Sequence, residues 1–114
     1  RDGDLNSTRI LNPDLIGHYN QPLVDTPGAN QGFGWRIKDP EDSSAGPFFS
    51  PNSFGHTGFT GTSIWFDPER KLASILLTNR IHPNRDNPYI HEIRKEFNTA
   101  VIEAYEGKKI DERK

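Results

Sequence analysis

An α+β architecture is what this sequence predicts: an antiparallel sheet of at least three strands with a carboxy-terminal helix packed across it. Three observations carry that expectation. Phe33, Trp35 and Ile37 alternate with Gly34, Arg36 and Lys38, the two-residue period of a half-buried strand. Two further β-rich runs, Gly55 to Phe66 and Lys71 to Thr78, flank Asp67-Pro-Glu-Arg70, where Pro68 suits the second position of a type I turn. Finally, Ile90, Ile93, Phe97, Ala100, Val101 and Ala104 recur at helical spacing.

Residues 1–30 read as loop and short helix. Asn12 can cap free amides and Pro13 tolerates the first helical position, where no amide bond is lost. Leu15, Ile16 and Tyr19 would form a small apolar face, and Pro22 ends the helix at the latest. Asp25 to Gln31 is turn chemistry leading into the first strand. Residues 31–80 hold the strands, interrupted by a polar loop, Asp39 to Ser53, anchored by Phe48 and Phe49. Leu72 to Leu77 is apolar on both faces, as a central strand covered above and below would be. Residues 87–107 form the last helix. Asp86 and Asn87 are its candidate caps, Pro88 its opening and Gly107 its stop. Glu92, Arg94, Lys95, Glu96 and Glu103 fall largely off the apolar stripe.

The 114 residues suit one domain, but only 32% are apolar and the mean hydropathy is −0.81. The 11% aromatic content argues against simple disorder, so partner surface is expected to complete the core. Fourteen Lys and Arg face sixteen Asp and Glu, and no basic stripe gives the footprint of a nucleic-acid binder. Lys108, Lys109, Arg113 and Lys114 read as a solvated tail. There is no cysteine, hence no disulfide or thiolate metal site, and no apolar run approaches membrane-spanning length. His18, His82 and His91 lack metal-ligand spacing. Trp35 and Trp65 read as core rather than a carbohydrate platform, and Asp67, Glu69 and Arg70 as a turn rather than a catalytic pair. A chain that starts at Arg1 without any methionine suggests an excised piece of a longer protein.

The informative stretch is Ser53-Phe-Gly-His-Thr-Gly-Phe-Thr-Gly-Thr62. Glycines inside a strand mark a bulge or something approaching the backbone closely, and free amides there can donate to a developing oxyanion. Read alone, His56 is an ordinary strand histidine; the flanking Gly55 and Gly58 favour a ligand-facing one.

Gly55-His-Thr-Gly-Phe-Thr-Gly61 resembles the Lys-Thr-Gly strand of the serine β-lactamase and penicillin-binding-protein family, in the His-Thr-Gly form found in many members. Asp2 to Pro13, Gly32-Phe-Gly-Trp35, the Asp67-Pro68 turn and Leu76-Leu-Thr-Asn-Arg80 resemble it too, in the family's order. The chain is thereby identified as the carboxy-terminal part of a DD-peptidase, esterase or β-lactamase-like hydrolase. The resemblance implies that His56 steers a substrate carboxylate or a proton and that Thr57 offers its hydroxyl to the anionic end. Gly58 would let the strand edge approach substrate, and the Phe59 amide would supply half of an oxyanion hole. It further implies a small-molecule or peptide substrate, no metal or organic cofactor, and an extracytoplasmic parent.

Lysine is a permanent cation at neutral pH while histidine is mostly neutral, which tilts the expectation from β-lactam hydrolysis toward peptidase or esterase chemistry. No serine here is followed three residues later by lysine, and no Tyr-x-Asn occurs. With nucleophile and base missing, the chain alone is expected to be inactive and to need the amino-terminal remainder of its domain. Two other readings stand beside this one: a non-catalytic module binding peptides or cell-wall fragments, and a structural piece that associates with itself.

Overall fold

A computed structural model describes residues 3–19, 21–22 and 30–107. The expected turn at Asp25 to Gln31 falls mostly outside them, and the basic tail from Lys108 lies wholly outside. The first elements are two short strands, β1 (Asp4–Leu5) and β2 (Thr8–Arg9), paired antiparallel. Asn6 and Ser7 between them both have positive φ, 49° and 65°, the twist that a two-residue hairpin needs. A loop was expected here, and an Arg9–Asp4 ion pair of 2.9 Å closes this hairpin instead. Helix α1 (Pro13–Tyr19) opens as read: the Asn12 Oδ1 accepts the Asp14 amide at 3.0 Å.

The main sheet has the order β3 (Arg36–Ile37), β4 (Phe54–Thr57), β5 (Ser63–Asp67) and β6 (Leu72–Leu76), every neighbour antiparallel. Helix α2 (Ile90–Tyr105) lies against it. The α+β architecture is therefore as expected, with differences in the elements. The first strand is not a continuous Gly32–Lys38. Gly34 adopts φ 70°, the Gly32 amide donates to the Trp35 carbonyl, and the chain doubles back so that Gln31 bridges Arg36. The run Gly55 to Phe66 is likewise two strands, because Gly58 to Thr62 forms a turn closed by the Gly58 amide on the Thr62 carbonyl at 2.8 Å. Strand β6 is not central but an edge among the described residues. Ser74 faces inward while Ile75 and Leu77 are 56% and 80% exposed.

The apolar core is small: Ala45, Phe49, Trp65 and Ile102, with Leu72 packed against them. Each of the fully buried Phe49 and Ile102 contributes about 2 kcal/mol. More polar than apolar side chains are buried among the described residues, so hydrogen bonds must knit the layers together. Asn98 on α2 accepts from the Ser74 hydroxyl at 2.6 Å and donates to the Ser44 carbonyl at 2.8 Å; Trp65 donates to the Ser44 hydroxyl. Asp67 accepts from the Ser50 amide, the Ser50 hydroxyl and the Arg70 guanidinium, which continues as a pair to Glu106 at the end of α2.

The helix buries a different stripe from the one its apolar residues trace. Arg94, Asn98 and Ile102 face the sheet, while Ile93 is 42% exposed. It begins at Ile90 rather than near Pro88. Asn87 caps only the preceding turn by accepting the Tyr89 amide, and Gly107, at φ 70°, ends the helix as expected.

Candidate active site

The His-Thr-Gly stretch runs off the end of β4 into the turn that leads to β5. Strand β3 pairs with β4 only at Gly55 and Phe54, so beyond Gly55 the outer edge of β4 carries no strand among the described residues. Strand alternation sends the His56 and Thr57 side chains to opposite faces: His56 sits opposite Ile64, Thr57 opposite Ser63. They meet only at the strand end, where both border a cleft of about 300 Å³ shared with Gly58 and Ile75. On the helix side, Thr57 also borders a polar cavity of about 400 Å³ with Trp65, Arg36, Arg94 and His91. The exposed His56 ring has Nδ1 2.9 Å from the Thr57 carbonyl oxygen; a proton on Nδ1 fits that contact and leaves Nε2 outward as an acceptor.

The glycines are needed where they stand. A Cβ on Gly55 would collide with Trp65 and the Ile64 carbonyl, and one on Gly58 with the Thr62 hydroxyl. Gly58 therefore holds the turn tight as well as leaving the edge open.

Every carbonyl of Gly58 to Thr62 is held. Gly58 accepts from the Gly61 amide and from Arg94 Nη2 at 3.1 Å, Phe59 from Arg80 Nε at 2.8 Å, and Thr60 from the Arg80 amide and the Thr78 hydroxyl. Gly61 accepts from Arg94 Nε at 3.0 Å, and Thr62 from the Gly58 amide and Arg94 Nη2. The Phe59 amide, by contrast, donates to nothing among the described residues. Burial, then the nearby charges of Arg80 and Arg36, push the Arg94 guanidinium below its ordinary value. Sequence reasoning set Arg94 aside as a polar residue off the stripe. The available signal was that no acid lies three or four residues from it on the helix.

Ser50-Pro-Asn52 has the Ser-x-Asn spacing of the family's second motif, a match overlooked in the sequence. Its hydroxyl is buried against Asp67 at 2.7 Å, at the opposite end of the sheet from Thr57, and so serves the core.

The beta-lactamase family model matches residues 4–98. The chain belongs to this family. Curated relatives agree with the assignment. A Salmonella paratyphi B protein named "Putative D-alanyl-D-alanine carboxypeptidase" is 39% identical over 93 residues, covering 78% of this chain and 21% of its own length. A Salmonella gallinarum protein of the same name is 40% identical over 67 residues, covering 55% of this chain and 15% of its own. The chain thus spans about a fifth or less of the curated relatives it matches. In fold, it is similar to a β-lactamase from Mycobacterium bovis with a TM-score of 0.67 at 23% identity, over 81% of this chain and 37% of the other. This member of the serine β-lactamase and penicillin-binding-protein family has no helix among its described residues long and apolar enough to cross a membrane.

Proposed function

We propose that this chain forms one wall of the active site of a serine hydrolase that acts through an acyl-enzyme on an amide or ester, with a D-alanyl peptide as the favoured substrate. The observation that carries this reading is the edge of β4, bare among the described residues beyond Gly55 and ending in a Phe59 amide that none of them binds. An extended substrate can lie along that edge, since main-chain groups there have no strand partner. The Phe59 amide then donates to the oxygen that becomes negative during acyl transfer, where such donors contribute most. Thr57 offers its hydroxyl to the substrate's anionic end. His56, with Nε2 outward, accepts or returns a proton or steers the carboxylate. The names of the Salmonella relatives favour the peptide over a β-lactam. The nucleophilic serine, its lysine base and the second oxyanion amide come from the amino-terminal remainder of the domain, because this sequence contains no Ser-x-x-Lys.

The test compares the isolated chain with a full-length hydrolase that carries it. The chain alone should leave nitrophenyl esters, a chromogenic cephalosporin and a D-Ala-D-Ala peptide untouched, whereas the longer protein should show an acylation burst. Labelling of the isolated chain by a fluorescent penicillin would mean that the nucleophile lies within it. Peptide binding without turnover by the longer protein would replace the hydrolase reading with that of a binding module.

A further inference from the structure

Arg94 is an odd residue to find beneath a sheet. It is 8% exposed, and its contacts among the described residues are with the carbonyls of Gly58, Gly61 and Thr62 rather than with a carboxylate. Arg36 and Arg80 lie close enough to act on it with like charge. Taking a guanidinium out of water without an opposite charge is costly, and an apolar side chain would fill the same space more cheaply. All three of its acceptors belong to one five-residue turn.

The geometry of the peptide bond gives this arrangement a consequence. In a planar trans peptide, the carbonyl of one residue and the amide of the next point in opposite directions. Drawing the Gly58 carbonyl to Arg94 Nη2 at 3.1 Å therefore turns the Phe59 N–H away from α2. Arg80 does the same one peptide later: its Nε holds the Phe59 carbonyl at 2.8 Å, and its guanidinium lies 5.1 Å from the centre of the Phe59 ring. A carbonyl fixed by a cation also leaves its peptide N–H more polarised, hence a better donor to an anionic oxygen.

We infer that Arg94 is a positioning residue: by holding the Gly58 carbonyl it aims the Phe59 amide at an oxyanion, with Arg80 fixing the next peptide. Its effect reaches the reaction through the turn, without Arg94 touching substrate. This rests on the hydrolase reading above for its chemistry, though the orientation of the amide stands apart from it.

Arg94→Met and Arg94→Lys, introduced in the full-length hydrolase, test the inference. For Arg94→Met, kcat should fall by roughly ten- to a hundred-fold, a fraction of what losing an oxyanion donor outright costs, while KM changes less than about three-fold. Arg94→Lys, which keeps the charge but loses the planar fork, should recover part of kcat. In both variants the Phe59 amide resonance should move, while ladder amides of β5 stay protected. An unchanged kcat, or an unmoved Phe59 amide, overturns the inference. So does equal loss across the whole sheet in both variants, since that marks a purely structural residue. Should the unmodified enzyme show no acyl transfer, the hydrolase reading falls, and the Phe59 resonance still decides what Arg94 does.

Discussion

The His56 ring is exposed and lies outside the buried apolar cluster of the described residues, so its removal separates chemistry from folding. In the full-length hydrolase, His56→Ala should lower kcat/KM roughly ten- to a hundred-fold, about 1.4 to 2.7 kcal/mol of transition-state stabilisation, with the melting temperature nearly unchanged. A large melting loss would make the residue structural. Asp67 behaves in the opposite way. Burial raises its carboxyl pKa, but hydrogen bonds from Ser50 and Arg70 outweigh that and leave it below the ordinary value. A depressed carboxyl stabilises the fold above its unfolded pKa of about 3.9, and that contribution is lost as pH falls through the folded value. Asp67→Asn should therefore cost about 2 kcal/mol at pH 7, with the difference from wild type shrinking in acid melts near pH 3. Ser53 gives a third case. Its hydroxyl is buried without a hydrogen-bond partner among the described residues, so Ser53→Ala should be neutral or stabilise by about 1 kcal/mol in a denaturant titration. At this scale the sequence pointed to His56 and Thr57 but hid Asp67. A turn aspartate looks the same whether its carboxylate faces water or Ser50.

Among the elements, α2 shows how far pattern reading reaches. Its existence, its end at Gly107 and its place across the sheet were legible from helical spacing and a glycine. The buried stripe was not, because apolar spacing assumes an apolar sheet. Here the facing groups include Ser74, the Ser44 carbonyl and the carbonyls of Gly61 and Thr62, and they select Asn98 and Arg94. Asn98→Ala leaves the Ser44 carbonyl and Ser74 hydroxyl without that partner, so it should destabilise by about 2 kcal/mol, whereas truncating the exposed Glu96 should change little. Equal melts for the two variants would refute the polar seam between α2 and the sheet. The strands were misread for a related reason. Two-residue alternation continues through Gly34 and through Gly58 to Thr62, but backbone hydrogen bonds turn the chain at both places, and composition does not record them.

For the molecule as a whole, low apolar content proved the most telling number in the sequence. The buried apolar cluster is small, and Ile75 on β6 and Leu77 just beyond the strand meet solvent at the sheet edge. Open edges with exposed apolar side chains favour strand addition. Light scattering across a dilution series should show the isolated chain associating as concentration rises, and Ile75→Lys with Leu77→Lys should return it to a monomeric mass. A strictly monomeric wild type with a sharp melt would mean that the chain completes its own core. Nothing in the sequence said whether these side chains are covered, since burial depends on surfaces that a single chain does not list. The clasped turn after β4 carries one more implication, concerning the order of synthesis. A ribosome releases His56, Thr57 and Gly58 well before Thr78, Arg80 and Arg94, whose donors fix the carbonyls of that turn. During translation the signature residues therefore exist for a time without their final geometry. The nascent site matures only when α2 has left the exit tunnel, and a message cut short before Arg94 would yield the motif with Thr78 and Arg80 but without the Arg94 half of its clasp.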